Sequence, residues 1–142
     1  MRRVSPAEGK EMMDNEGYVY IDVRSIPEFE ASHPEGAYNI PLLHAGPLGM
    51  VPNPDFLAVM ERAFPKDVKL VVGCRSGGRS LRACSILESA GYGNVVDQRA
   101  GFEGAQDPMG RFVEPGWRPA GLPTSREAPP DRTYEALKAN RS

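Results

Sequence analysis

Cys74 is the residue of this sequence best placed to do chemistry, because it lies between a predicted buried strand and a predicted helix. The strand covers residues 69–72 and the helix covers residues 80–90. The loop between them reads Gly73-Cys74-Arg75-Ser76-Gly77-Gly78-Arg79. In an open α/β sheet, ligands bind at the carboxyl ends of the strands. The pattern therefore predicts a ligand-binding loop with a thiol inside it.

The neighbours of Cys74 favour an ionised thiol and an anionic ligand. Gly77 and Gly78 allow successive backbone N–H groups to turn inward, and the helix N-terminus adds a partial positive charge. Arg75 and Arg79 add two full charges, and arginine can bind two oxygens of an oxoanion such as thiosulfate at once. We therefore predict that Cys74 is a nucleophilic thiolate and that the two arginines hold an anionic substrate.

Two hydroxyl groups complete the predicted loop. We expect Ser76 to be a hydrogen-bond donor in the pocket and Ser80 to cap the helix that follows. A lone cysteine at a strand end is usually a packing residue, but packing does not call for two glycines and two arginines around it.

Cys84 is predicted to be structural, because it lies beside the apolar face of the helix with Arg82 as its only basic neighbour. A disulfide with Cys74 is not expected. A helical rise of about 1.5 Å per residue separates the two cysteines by roughly 9–12 Å, whereas a disulfide spans at most about 7 Å between Cα atoms.

The elements that must position Cys74 alternate between strand and helix along the chain. Capping-box patterns at Ser5 and Ser25 predict helix starts. The predicted helices cover 6–15, 26–29, 53–64 and 80–90, and the predicted strands cover 18–23, 37–40, 69–72 and 94–98. Such alternation with short connections predicts an α/β fold with a parallel sheet and helices on both faces.

The chain changes in character after residue 100. We predict a short helix over 101–104, an irregular segment over 115–123, and a polar extension over 124–142 with a helical turn at 134–138. Part of this extension is expected to be disordered. The predicted domain organisation is one domain over 1–123 followed by the extension.

Composition limits the class of protein. With 142 residues, 40% hydrophobic content and a net charge of −2, the sequence predicts one domain and gives no support for nucleic-acid or membrane-surface binding. No apolar run is long enough for a transmembrane helix, and the basic N-terminus lacks the apolar segment of a signal peptide. The expected location is therefore cytoplasmic. His33 and His44 have no metal-ligand spacing with the cysteines, so neither a metal nor another cofactor is predicted.

Residues 3–123 resemble a single-domain rhodanese. Four segments carry the resemblance, in the family's order: Asp22-Val23-Arg24 with Glu28-Phe29, His33-Pro34-Glu35-Gly36-Ala37-Tyr38-Asn39-Ile40-Pro41, Cys74 to Ser80, and Gly116-Trp117 with Ala120-Gly121-Leu122-Pro123. The resemblance implies a three-layer α/β/α domain around a mostly parallel, five-stranded sheet, with Arg3-Val4 as its edge strand. It also implies transfer of a sulfane sulfur through a Cys74 persulfide, from a donor such as thiosulfate to cyanide or a cellular thiol. A protein thiol is a further candidate acceptor.

Residues outside the loop are given supporting roles. Asp22 and Arg24 are expected to form an ion pair that braces the loop rather than an acid–base pair, and Glu28 is expected to cap its helix. Trp117 is expected to pack as a lid beside the loop. Arg99 departs from the family pattern, and we expect it to face solvent rather than to add a third cation to the pocket.

Three other functions compete with sulfur transfer. Phosphatases that share this fold have five residues between the cysteine and the last arginine of the loop, whereas this chain has four between Cys74 and Arg79. The shorter loop and the lack of an acidic residue in it favour sulfur over phosphate. A non-catalytic module that acts through protein partners, and a sulfur carrier served by a partner protein, remain open as alternatives.

Overall fold

The computed structural model of the protein describes residues 1–127 and 129–139. The helices are α1 (Pro6–Asn15), α2 (Ile26–Ala31), α3 (Phe56–Ala63), α4 (Gly78–Ser89) and α5 (Tyr134–Ala139). The strands are β1 (Arg2–Val4), β2 (Val19–Asp22), β3 (His33–Pro34), β4 (Tyr38–Asn39), β5 (Leu43–Gly46), β6 (Gly49–Pro52), β7 (Leu70–Gly73), β8 (Val95–Gln98), β9 (Gly104–Gln106), β10 (Phe112–Pro115) and β11 (Thr124–Ser125).

A five-stranded sheet forms the centre of the molecule, with the strand order β1-β8-β7-β2-β4. Every pairing within this sheet is parallel. Strand β7 lies in the middle and is buried along its whole length, and β1 is the edge strand, as predicted. Because Cys74 directly follows β7, the sheet places it at the carboxyl edge, between loops from the neighbouring strands.

Apolar side chains cover both faces of the sheet. Alternate residues of β2 and β7 point to opposite sides, so that Tyr20 and Val71 pack with α1 and α2 while Ile21 and Val72 pack with α3, α4 and α5. This arrangement confirms the predicted three-layer α/β/α fold with its central parallel sheet.

The predicted capping boxes begin α1 and α2. In the first, the Ser5 hydroxyl accepts the Glu8 N–H at 3.1 Å, and the Glu8 carboxylate accepts the Ser5 N–H at 2.9 Å. In the second, Glu28 accepts from both the N–H and the hydroxyl of Ser25. These bonds satisfy backbone donors that have no partner within the helix. The second box also fixes Glu28 in the first turn of α2.

The short helix predicted over 101–104 is absent from the described chain, and this prediction is wrong. Gly101 and Gly104 take positive φ angles of 66° and 142°, which direct the chain out of a helical path. It continues instead into an antiparallel hairpin of β9 and β10. A second hairpin of β5 and β6, closed by Gly49 at φ 123°, was also not predicted.

The segment after residue 123 returns to the body of the molecule. Strand β11 pairs with β3, and the predicted helical turn is present as α5. Tyr134 and Leu137 are buried in the same apolar cluster as α3. Residue 128 and residues 140–142 of the predicted extension lie outside the described residues, and the domain boundary at 123 stays a prediction. No helix in the described part of the chain is long and apolar enough to cross a membrane.

Candidate active site

The loop between β7 and α4 wraps around the Cys74 sulfur. Cys74 is only 2% exposed, and the Gly77 N–H donates to its Sγ at 3.1 Å. Gly77 is the N-cap residue of α4 and has a φ of 104°. The N–H that reaches the sulfur therefore belongs to the start of a 12-residue helix, where the helix dipole favours negative charge.

Close backbone approach explains why glycine occupies two positions around this loop. A Cβ atom on Gly77 would lie 2.4 Å from the carbonyl oxygen of Arg99, and one on Gly101 would lie 2.5 Å from that of Arg75. The chain after β8 thus packs directly on the Cys74 loop. It also donates to the loop, because the Phe102 N–H binds the Cys74 carbonyl at 2.7 Å.

Arg79 is held by Glu28 rather than facing an empty pocket. Its two terminal nitrogens donate to the two carboxylate oxygens of Glu28 at 2.7 and 3.0 Å. Although burial disfavours ionisation of Glu28, the hydrogen bonds from Arg79 and Ser25 lower its pKa to about 2. Glu28 therefore both caps α2 and anchors the loop, and the role of Arg79 in holding an anionic substrate stays a prediction.

Arg75 differs from Arg79 in its surroundings. Its side chain is exposed and forms no ion pair among the described residues, while its backbone carbonyl accepts the Glu103 N–H at 2.9 Å. Ser76 is partly exposed at the rim of the loop. Arg75 is thus the loop arginine whose guanidinium is exposed.

Ser80 does not cap α4, because Gly77 is the N-cap residue. The Ser80 hydroxyl is fully buried and lies 3.6 Å from Cys74 Sγ. Its oxygen is also 2.5 Å from Oδ1 of Asp97, whose Oδ2 accepts from Nε of Arg3 at 2.8 Å. The predicted role of Ser80 is corrected to that of a buried link between the thiol and a carboxylate.

Asp22 and Arg24 form the predicted ion pair, with 2.7 Å between Nη2 and Oδ2. Both residues are nearly completely buried. Arg24 also donates to the Ser32 carbonyl and stacks over the ring of Phe102, 4.3 Å from its centroid. Because Phe102 is bonded to the Cys74 carbonyl, the ion pair supports the loop from the side of β2.

Trp117 lies in a place that the sequence did not indicate, whereas Arg99 is partly exposed to solvent, as expected. Trp117 is fully buried, packs edge-on against Tyr20 at 5.4 Å, and donates from its indole to the Pro123 carbonyl. It is a core residue and not a lid. Arg99 is partly exposed and paired with Glu114 at 2.9 Å, beside a cleft of about 580 Å³ that the outer side of the loop helps to line.

Cys84 lies inside the core, and both cysteines are free thiols. Burial raises the pKa of the Cys84 thiol well above its ordinary value. Cys84 is therefore a packing residue in this structure, as predicted.

Comparison with known proteins identifies the family. The model of the rhodanese-like domain matches residues 5–107. The chain belongs to the rhodanese-like domain family.

Relatives of this rhodanese-like chain include proteins with sulfurtransferase names. Over 108 residues it is 39% identical to "Thiosulfate sulfurtransferase 16, chloroplastic" of Arabidopsis thaliana, covering 76% of this chain and 80% of that protein. Over 86 residues it is 43% identical to "Protein HIGH ARSENIC CONTENT 1, mitochondrial" of the same plant, covering 61% of this chain and 51% of that protein. The chain thus spans about half the length of this second relative.

Two solved structures share the fold of this chain. The structure of Rv0390 from M. tuberculosis superposes with a TM-score of 0.74 at 28% identity, covering 89% of this chain and 98% of that one. The human single-domain sulfurtransferase TSTD1 superposes with a TM-score of 0.56 at 20% identity, covering 72% and 92%.

Two acidic residues of this rhodanese-like site were not predicted from the sequence. Glu28 was expected only to cap its helix, and Asp97 only to be part of a strand. A signal for Asp97 is present, because a carboxylate in a buried parallel strand needs a partner. The partners themselves, Ser80 and Arg3, come from distant parts of the chain and carry no local signal.

Proposed function

We propose that this chain is a sulfurtransferase in which Cys74 carries the transferred sulfur as a persulfide. The observation that supports this most strongly is the hydrogen bond from the Gly77 N–H to Cys74 Sγ at the start of α4. A sulfur in that position has a backbone donor aimed at it and a helix dipole behind it, which suits a thiolate and a persulfide anion alike.

The proposed reaction has two half-reactions. The Cys74 thiolate attacks the outer sulfur of thiosulfate, a new S–S bond forms, and the old S–S bond breaks with its electron pair leaving on sulfite. An acceptor then attacks the outer sulfur of the persulfide, and the electron pair of that S–S bond returns to Sγ. Cyanide leaves as thiocyanate and a thiol leaves as a persulfide, so no external oxidant or reductant is required.

The two loop arginines have different roles in this proposal. Arg75 is exposed and unpaired among the described residues, so it is the cation that meets the donor anion at the rim. Arg79 is fixed by Glu28 and holds the loop in shape while adding positive potential beneath it. The identity of the sulfur donor, the nature of the acceptor (a thiol or a protein) and the cytoplasmic location stay proposals. The names of the two Arabidopsis relatives place those proteins in the chloroplast and the mitochondrion.

The test is to incubate the protein with thiosulfate and to weigh the Cys74 peptide without reductant. We expect this peptide to gain one sulfur atom, and we expect no gain in Cys74→Ser. Cys84→Ala is the matched control, because Cys84 is the other thiol and should leave the gain intact. In steady-state assays with thiosulfate and cyanide, Arg79→Ala should lower kcat/KM by about tenfold or more, and Cys84→Ala by less than about twofold.

Two results would contradict the proposal. Absence of sulfur gain with thiosulfate and with a glutathione persulfide would reject the enzyme and leave the non-catalytic module. Equal losses of kcat/KM in Arg79→Ala and Cys84→Ala would show that the roles of the loop arginine and the second cysteine are misassigned.

A further inference from the structure

A buried series of polar groups lies behind the Cys74 loop. Cys74 Sγ is 3.6 Å from Ser80 Oγ, Ser80 Oγ is 2.5 Å from Asp97 Oδ1, and Asp97 Oδ2 is 2.8 Å from Arg3 Nε. Ser80 and Asp97 are both 0% exposed. The series joins α4, β8 and the edge strand β1, and it ends at the only member that reaches the surface, Arg3.

The proton of Ser80 decides what the series does to the thiol. A serine hydroxyl has one proton to donate and two lone pairs that accept. Asp97 is the nearest acceptor and the charged one, whereas the Gly77 carbonyl is 3.1 Å away. The proton therefore points to Asp97, and Ser80 turns a lone pair towards Cys74.

Arg3 provides a charged partner for the buried Asp97 side chain. A buried carboxylate without a partner is costly, and the guanidinium of Arg3 supplies the partner. The position of Asp97 on the sheet also matters, because its neighbour Val96 packs on the opposite face with α1. Asp97 thus faces α4, where Ser80 lies.

One hydrogen-bond donor and one acceptor then act on the Cys74 sulfur in opposite senses. The Gly77 N–H donates to Sγ and favours the thiolate. Ser80, with its proton held by Asp97, can only accept from Sγ, and only a protonated thiol has a proton to give. The balance between Gly77 and Ser80 sets how readily Cys74 becomes reactive.

We propose that Asp97 is a positioning residue for Cys74: it orients the Ser80 hydroxyl so that Ser80 accepts a hydrogen bond from the Cys74 thiol, and it thereby slows the reaction of Cys74 with electrophiles. The proposal deepens the proposed function, since it concerns the same nucleophile. Its test measures alkylation of Cys74 and needs no sulfur donor. Failure of this proposal can therefore be distinguished from failure of the proposed sulfurtransferase function.

Other titratable or charged groups surround Cys74 on β2, α2, α4 and the loop. They are Tyr20, Asp22, Arg24, Glu28, Arg75, Arg79 and Cys84. Asp22 is paired with Arg24 and Glu28 with Arg79. Burial raises the pKa of both Tyr20 and Cys84, so they stay neutral near pH 7. Asp97 is the carboxylate that hydrogen bonds connect to Sγ.

The experiment measures the rate of Cys74 alkylation by iodoacetamide as a function of pH, with the product quantified as the mass of the Cys74 peptide. In Asp97→Asn, the side-chain amide can donate to the Ser80 oxygen, which frees the hydroxyl proton for the thiolate. We expect alkylation of this variant to be about tenfold faster than wild type at pH 6, with the whole profile moved to lower pH.

Glu114→Gln is the matched control. Glu114, like Asp97, is paired with an arginine: it accepts two hydrogen bonds of 2.9 Å from Arg99, but forms no hydrogen bond with Ser80. The substitution removes the same charge and should change the alkylation rate by less than about twofold. A tenfold gain in Glu114→Gln would show that charge alone moves the profile, and would overturn the proposal.

Ser80→Ala supplies a second and independent test, which also serves if Asp97→Asn does not fold. Because Ser80 is an acceptor in the proposal, its removal should not slow alkylation at pH 6. Slowing by severalfold would mean that Ser80 donates to the thiolate, and would overturn the proposal. When Ser80 is already alanine, the increase in alkylation rate caused by Asp97→Asn should be at least about threefold smaller. An unchanged increase would show that Asp97 does not act through Ser80.

Discussion

Glu28 and Arg79 form a charged contact between α2 and the Cys74 loop, and it joins residues 51 positions apart in the sequence. The contact is bidentate and partly buried, with side-chain exposures of 23% and 17%. A bidentate pair of charged hydrogen bonds is stronger than a single exposed ion pair, and it fixes the direction of both side chains. At the scale of single residues, the loop is therefore held by a residue of α2 as well as by its own backbone.

This contact predicts a specific pH dependence of stability. The pKa of Glu28 is about 2 in the folded protein, below its ordinary value of 4.5, because hydrogen bonds from Arg79 and Ser25 outweigh burial. Because folding lowers this pKa, the ionised Glu28 carboxylate stabilises the fold above pH 4.5. This contribution is lost as the pH falls towards 2 and Glu28 is protonated. Glu28→Gln should therefore lower the free energy of unfolding at pH 7 by about 1–2 kcal/mol, a figure reduced for solvent screening of the pair.

Urea unfolding at several pH values checks this prediction. The difference between wild type and Glu28→Gln should shrink as the pH falls from 5 towards 2. Glu30→Gln is the control, since Glu30 is an exposed residue of the same helix. A difference that stays constant over this pH range would show that ionised Glu28 contributes nothing to stability.

At the scale of elements, the conformation of the Cys74 loop depends on the segment of chain that follows β8. Gly77 and Gly101 allow the two segments to meet backbone to backbone, and each has a positive φ. The cradle around Cys74 is thus built from two loops at the same edge of the sheet, where parallel topology brings strand ends together.

Gly77→Ala should disrupt this cradle. Its φ of 104° is strained for alanine, at about 1–3 kcal/mol, and the added methyl group would meet the Arg99 carbonyl. We expect a loss of stability of at least this size, together with altered Cys74 alkylation, because the N–H that binds Sγ must shift. Unfolding in urea and the alkylation rate measure the two effects.

Gly78→Ala is the matched control one residue further along. A methyl group added at Gly78 would meet no atom within 4 Å, and the φ of this residue is not positive. Since alanine favours helices over glycine, stability should stay the same or rise by up to about 1 kcal/mol. Equal destabilisation by the two substitutions would refute the role assigned to close approach at Gly77.

At the scale of the whole molecule, the C-terminal segment completes the core. Arg132 donates to the Gly36 carbonyl at 2.9 Å, and its own carbonyl accepts the Asn39 N–H. Tyr134 and Leu137 then place the apolar side of α5 against the cluster that contains α3. The segment thus covers one face of the sheet near its β4 edge.

Leu137→Ala tests whether this docking matters for stability. Leu137 is only 7% exposed, and removal of a buried leucine side chain typically costs about 2–5 kcal/mol. Because α5 is a short helix of six residues, we expect a loss near the lower end of this range, about 2 kcal/mol, in urea unfolding. The control is Glu135→Ala, at an exposed position of the same helix, which should change stability by less than about 0.5 kcal/mol. Equal effects of the two substitutions would mean that packing of α5 against the core does not stabilise the fold.

The features that the sequence by itself determined are local. The capping boxes at Ser5 and Ser25 mark their helix starts by residues three positions apart, and the apolar run before Cys74 marks a buried strand within four residues. The place of Cys74 and its loop was predicted for the same reason: strand, glycines and helix are adjacent in the chain, and their order alone places Cys74 at the sheet edge.

Only the tertiary structure decided which distant groups meet at that edge. The partner of Arg79 is on α2, the partner of Ser80 is on β8, and Trp117 packs against β2 rather than over the loop. A charged or polar side chain has many possible partners in the sequence, and the one it takes depends on which faces the folded sheet brings within about 3 Å. The position of Cys74 at the sheet edge was therefore readable from its neighbours in sequence, whereas the hydrogen bonds around its loop depend on its neighbours in space.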